Sequence, residues 1–271
     1  MRTTQTAERI EWREGRAVRG TRVLAEETAV AISYNGSTHA VLMATPGDLE
    51  DLAMGFSMTE GIVDGISAIE GVEVVGFDEG FDAQVRVRDD IADRLARRRR
   101  TMAGPVGCGL CGLESLEAAT RKLPPVTATR TFTTHDVARA MRSMQTHQVL
   151  NRATSAAHAA GFFLPGHDVC LVREDVGRHN ALDKLIGALL RDGQDPTEGG
   201  IVVTSRVSVE LVQKTAAAGT GLIAAISAPT AYAVRAGNET NVTIVAVVRD
   251  DAFEVFTHAS RITPGAVPDV A

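Results

Sequence analysis

The sequence predicts an α/β protein in two parts: a smaller α+β unit, then a sheet covered by helices. Three observations carry that expectation. Beyond residue 169, apolar runs alternate with amphipathic stretches, the rhythm of a largely parallel sheet. Residues 28–87 read instead as paired strands around one helix. Between them, residues 101–112 hold four glycines and a proline, which interrupt all periodicity and mark a mobile loop.

In chain order, residues 29–34 and 39–44 flank the Asn35-Gly36 turn signal and form a hairpin. A helix follows over 48–60, with Asp48 as N-cap, Leu49, Leu52, Ala53 and Phe56 on one face, and Gly61 as its stop. Residues 72–77 and 83–87 are a second strand pair. A helix over 113–122 ends at Pro124-Pro125, and a longer one spans 135–152. Then come strand 169–172, helix 178–190, strand 201–204, helix 207–218, strand 222–226, helix 230–236 and strands 242–248 and 253–256. The expected division is 1–125, ending in the cysteine-bearing loop, and 126–271.

The chain has 271 residues, 44% apolar and 23% charged, ample for a buried core. Its net charge of −6 argues against a general nucleic-acid binder, and the basic run Arg97–Arg100 reads as a solvated helix end. No apolar run approaches the roughly 18–20 residues of a membrane span, and the start lacks the apolar core of a signal peptide. Three cysteines do not make a disulfide framework, so a cytoplasmic, reducing location is expected.

Ligands of open α/β sheets bind beyond the carboxyl ends of the strands. Three such ends carry polar, sharply turned sequence before a helix: 174–180 with Asp175, Arg178, His179 and Asn180; 205–210 with Ser205, Arg206 and Ser208; and 227–230 with Pro229 and Thr230. Each aims backbone N–H groups at one crevice, and Arg178 and Arg206 add donors suited to phosphate. Taken singly, Asp175, Ser205 and Ser227 read equally as helix caps. His179 is a general acid or a structural partner of Asp175 or Asp183.

Cys170 falls within an apolar strand and reads as a buried core residue. Cys108 and Cys111 stand in C-x-x-C spacing among Gly107, Gly109 and Gly112, just before a helix whose N-terminus lowers a thiol pKa. Three chemistries share this pattern. Structural zinc needs four ligands, which only two paired loops in a dimer would supply. A thioredoxin-like redox pair belongs directly after a strand. Sulfur carriage needs a nucleophilic cysteine on a mobile arm. A deaminase-type zinc centre is excluded, since no His-x-Glu occurs and Gly107 precedes Cys108.

These residues resemble the formate dehydrogenase accessory sulfurtransferases, the FdhD family, from about residue 26 to 262. The resemblance rests on the segments 44–53, 60–61, 108–112, 174–184, 205–214, 227–230 and 256–258. It implies a homodimeric sulfurtransferase with a cytidine-deaminase-like mixed sheet, helices on both faces, and no permanently bound metal. Such proteins take sulfur from a cysteine desulfurase and pass it to the molybdenum (or tungsten) bis-pterin guanine dinucleotide cofactor of formate dehydrogenase. By that match Cys108 carries the persulfide and Cys111 assists, while Val247, Val248, Arg249, Asp250, Asp251 and Ala252 contact the cofactor. Val247 stands where an aromatic is common in relatives, and Ala252 where a basic residue is common, which bears on the purine and phosphate contacts. The alternative is a chaperone that ferries the cofactor without moving sulfur.

Overall fold

The computed structural model describes residues 1–102 and 123–265, with side chains described to residue 97 and again from 123. Cys108, Cys111 and the helix expected over 113–122 lie outside the described residues.

The chain opens with a ribbon that alternation alone did not disclose. Strands β1 (Thr4–Arg13) and β2 (Arg16–Ala25) pair antiparallel around Glu14 and Gly15, both at positive φ, the backbone of a tight hairpin turn. The ribbon is largely solvated, with Trp12 72% exposed, so no apolar face announced it.

Next, β3 (Thr28–Tyr34) and β4 (Ser37–Ala44) form the expected hairpin, with Asn35 and Gly36 at positive φ. With β5 (Ile69–Phe77) and β6 (Gly80–Val87) they build a four-stranded sheet in the order β4-β3-β6-β5. Helix α1 (Leu49–Thr59) buries Leu49, Leu52, Ala53 and Phe56 against it, and α2 (Asp89–Met102) adds Ile91 and Leu95. Gly61 follows α1 at φ 67, and Asp48 occupies the N-cap position as expected, but its backbone is left-handed and its side chain accepts no capping bond.

A short parallel pair, β7 (Phe132–Thr133) and β14 (Ile262–Thr263), stands apart, and the second sheet has six strands in the order β13-β12-β11-β10-β8-β9. Strands β10 (Gly200–Val203), β11 (Leu222–Ala225) and β12 (Thr243–Arg249) are parallel, as the alternation predicts. Antiparallel β13 (Ala252–Val255) closes one side; β8 (His158–Phe163) and β9 (Val169–Asp175) close the other. The sheet is therefore mixed rather than largely parallel. β8 escaped the sequence pattern because Gly161 mimics a turn signal; in the sheet it makes room for Val169, Val172 and Val202.

Helices cover both faces. On one side lies α3 (Thr134–His147), with Val137, Ala140, Met141 and Met144 on Phe163, Val202 and Val245. On the other are α5 (Arg178–Arg191), α6 (Val209–Ala217) and α7 (Ala231–Thr240), with Leu182, Leu185, Leu211 and Ala233 on Phe162, Ile201 and Ile223. The helix expected over 135–152 is two helices, because Glu174 accepts hydrogen bonds from the N–H groups of Leu150 and Asn151 (2.7 and 2.8 Å) and so starts α4 (Val149–Thr154) separately. Cys170 is exposed, not core: β9 is an edge strand, and the thiol only donates to the Phe162 carbonyl at 3.4 Å. Burial of its surroundings raises the thiol pKa. No described helix is long and apolar enough to cross a membrane.

The two sheets meet where α1 crosses α5. Each helix carries Asp-x-x-x-Gly, Asp51 with Gly55 and Asp183 with Gly187. A Cβ on Gly55 would overlap the Asp183 carbonyl, and one on Gly187 the Asp51 carbonyl, so only glycines allow this approach. Both aspartates are buried and paired across the junction. Asp51 meets Arg173 (2.8 Å) and Arg191; Asp183 meets Lys214 (3.0 Å) and the Thr59 hydroxyl (2.8 Å).

Gly55→Ala and Gly187→Ala are each expected to lower stability by about 1–3 kcal/mol or more, as overpacking does. Urea unfolding checks this; an unchanged midpoint for both would refute the close crossing.

Candidate functional site

β8 runs antiparallel to both β9 and β10, so β9 points the same way as β10, β11 and β12. The carboxyl ends of these four strands therefore share one sheet edge, and the segments 174–180, 205–210, 227–230 and 247–252 gather there. Backbone and side-chain bonds tie them laterally. Val207 bridges Pro229, and the Thr230 N–H donates to the Val207 carbonyl at 3.0 Å. Arg249 donates to the Ile226 carbonyl at 2.6 Å. His179 and Glu210 join the starts of α5 and α6 at 3.1 Å, and Ser208 donates to the same Glu210 oxygen at 3.0 Å.

The expected residues divide into a lining and a foundation. Arg178, His179, Arg206, Pro229 and Arg249 are at least partly accessible. Asp175 lies beneath them, fully buried against Lys184 (2.7 Å), and accepts from the N–H groups of Thr45 (3.0 Å) and Gly177 (2.7 Å). Asn180 donates to the Met43 carbonyl (2.8 Å) and to Asp175 (3.1 Å). Lys184 also donates to the Thr45 carbonyl at 2.8 Å. Asp175 and Asn180 thus fasten the end of β4 to the start of α5. Ser205 is buried, its hydroxyl on the Arg206 carbonyl.

Helix capping differs from the simple reading. Gly177, Ser208 and Thr230 occupy the N-cap positions, and of these only Thr230 closes a side-chain bond, accepting from the Ala233 N–H. His179 partners Glu210, not Asp175 or Asp183.

In the 247–252 turn, a register shift lies between Ala246 and Arg249, and Val247 (φ 55) and Asp250 (φ 50) are left-handed. A β-branched residue avoids that region. The turn sends Val248 into the core under α3 and pairs Asp251 with Arg142 of α3 at 2.6 Å, while Ala252 opens β13. Sequence reasoning missed His158 and Thr204, which sit at the same edge between β9 and β10: the Ala159 N–H donates to the Thr204 hydroxyl (3.0 Å), which lies 3.4 Å from His158 Nδ1. No signal could have placed them without β8. Among the described residues no group of three or more His, Cys, Asp or Glu could hold a metal ion.

The FdhD/NarQ family model matches residues 25–263. The chain belongs to the FdhD/NarQ family. It is 51% identical over 251 residues to the sulfur carrier protein FdhD of Agrobacterium fabrum, covering 92% of this chain and 93% of that one. It is 54% identical over 242 residues to the protein of the same name from Brucella abortus, covering 89% and 90%. In fold it resembles a solved structure described as a formate dehydrogenase accessory protein from Desulfotalea psychrophila, with a TM-score of 0.76 at 22% identity, covering 97% of this chain and 100% of that one.

In this family member the crevice histidines are electrostatically poised. Burial, then the neighbouring Arg178 guanidinium, hold His158 and His179 below the ordinary value of 6.5, with Asp175 and Glu210 respectively opposing. The folded state thus favours both neutral rings. Their contribution to stability is present above the unfolded value and is lost as pH falls through the lowered folded values. NMR titration is expected to place both rings below 6.5; a ring at or above that value would contradict the geometry. Lys184→Met, which leaves Asp175 buried and uncompensated, is expected to cost about 3–5 kcal/mol in denaturant unfolding.

Proposed function

We propose that this chain is a sulfur carrier and sulfurtransferase serving formate dehydrogenase. It takes sulfur from a cysteine desulfurase and delivers it to the molybdenum (or tungsten) bis-molybdopterin guanine dinucleotide cofactor, bound as substrate. The observation that carries the ligand half of this reading is the crevice itself: three helix N-termini and the cations Arg178, Arg206 and Arg249 at one sheet edge, a setting for phosphate groups. The names of the FdhD relatives support the sulfur half.

The chemistry balances with two cysteines. The Cys108 thiolate attacks the terminal sulfur of the donor persulfide, whose S–S bond breaks and whose cysteine leaves as thiolate. At the cofactor, the Cys111 thiolate attacks Cys108 Sγ. A Cys108–Cys111 disulfide forms and the terminal sulfur leaves as hydrosulfide, the thiol pair supplying its two electrons. A cellular dithiol reductant then restores both thiols.

In this reading residues 1–125 form the unit ending in the cysteine loop, and 126–271 the cytidine-deaminase-like unit. The protein works in the cytoplasm as a homodimer and hands the sulfurated cofactor to the catalytic subunit of formate dehydrogenase.

Mass spectrometry after incubation with desulfurase and cysteine is expected to show a gain of one sulfur atom on Cys108. Cys108→Ala should abolish it, Cys111→Ala should still load but support less dehydrogenase maturation, and Cys170→Ala should load normally. Full maturation by Cys108→Ala would leave a cofactor chaperone as the correct reading. In calorimetry GDP should bind, and Arg206→Ala should weaken it by roughly 1.5–3 kcal/mol, the scale of a charge-assisted hydrogen bond.

A further inference from the structure

Arg178 is an anomaly of placement. It is the first residue of α5, so its charge sits at the positive end of the helix, where a cation is disfavoured. It is partly buried, and its Nε lies out of solvent with no hydrogen-bond partner. Among the described residues no carboxylate pairs with it. The nearby acids are engaged elsewhere: Asp175 is saturated by Lys184, Thr45, Gly177 and Asn180, and one oxygen of the exposed Glu210 takes both His179 and Ser208. A half-buried guanidinium without a paired carboxylate is a setting that favours an incoming anion.

His158 stands beside it. It opens β8 opposite Asp175 in the strand register, with the β10 end at Thr204 on its other side. The Thr204 hydroxyl already accepts from the Ala159 N–H, so its own proton is available to His158 Nδ1. With the hydroxyl as donor to Nδ1, the neutral ring carries its proton on Nε2, which forms no bond among the described residues. The charged groups acting on the ring are Arg178 from α5 and Asp175 from β9, with His179 and Glu210 one layer further out.

We infer that Arg178 and His158 form a proton-linked subsite for a phosphoryl group, in which Arg178 holds the anion and His158 takes up a proton as it binds. The inference rests on the reading above only for the ligand's identity. A phosphate oxygen at the accessible side of the Arg178 guanidinium supplies its missing counter-charge and offsets the field on His158. The proton comes from solvent, Nδ1 becomes a second donor, and the Thr204 hydroxyl turns to accept it.

The test is calorimetry of the full chain at pH 7.5 with GDP and, separately, inorganic pyrophosphate, in buffers of different ionisation enthalpy. Wild type is expected to take up protons on binding either ligand. The ligand's own titration is common to all variants, so differences between them isolate the protein. His158→Gln should remove the protein's uptake and flatten the pH dependence of affinity, which in wild type approaches about tenfold per pH unit. Arg178→Ala should weaken pyrophosphate about tenfold or more, with unfolding midpoints recorded to confirm folded variants. Uptake unchanged in His158→Gln, uptake lost only in His179→Gln, or full pyrophosphate affinity in Arg178→Ala would each overturn the subsite. Failure of wild type to bind either ligand would do the same. If pyrophosphate binds with His158-dependent uptake while GDP binds no better, the guanine reading falls and the subsite stands.

Discussion

The crossing of α1 and α5 is the constraint on which the rest of the structure depends. Each helix presents an aspartate and, one turn later, a glycine, and each glycine seats against the other helix's aspartate carbonyl. This brings backbones close enough that the aspartate side chains are buried, and burial without partners would cost several kcal/mol per charge. The partners come from beyond the crossing: Arg173 on β9 and Arg191 at the end of α5 for Asp51, and Lys214 on α6 for Asp183. One contact therefore fixes β9, α5 and α6, and with them the starts of two of the three helices that border the crevice. Asp175, Lys184 and Thr45 repeat the arrangement a turn away, where β4 ends.

Much of this was legible in the residues. Hairpin 28–45, the buried face of α1 and the alternation from 169 onward follow from period and turn chemistry, which act locally. The gathering of three segments, 174–180, 205–210 and 227–230, at one edge was legible as well, because strand direction follows from the crossovers; 247–252 came only from the family resemblance. What escaped was what depends on the partner. The ribbon 4–25 has no buried face to produce a pattern, and β8 hides behind a glycine that only its neighbours explain. Glu174, Asp175 and Asn180 stand in the same short run as Arg178 and His179, and nothing in their order separates a foundation from a lining. The structure separates them by burial. The Asp-x-x-x-Gly pairs were visible, but their meaning required knowing that two segments 132 positions apart would meet.

The crevice edge carries costs that the fold alone does not require. Val247 is held left-handed, Arg178 is placed against the helix dipole, and two histidines are kept neutral beside it. Strain of this kind persists where surrounding structure over-determines it. The junction beneath, with the ion pairs of Asp51, Asp183 and Asp175, supplies that support.

The separation of α1 from α5 along the chain also has a consequence for biosynthesis. At roughly 5–20 residues per second, a ribosome needs about 7–26 s to advance from one aspartate–glycine turn to the other. During that interval the four-stranded sheet and α1 can assemble from local sequence, but the outer face of α1 offers Asp51 and Gly55 to nothing. Until α5 is made, the surface of α1 that receives it, around Asp51 and Gly55, remains uncovered.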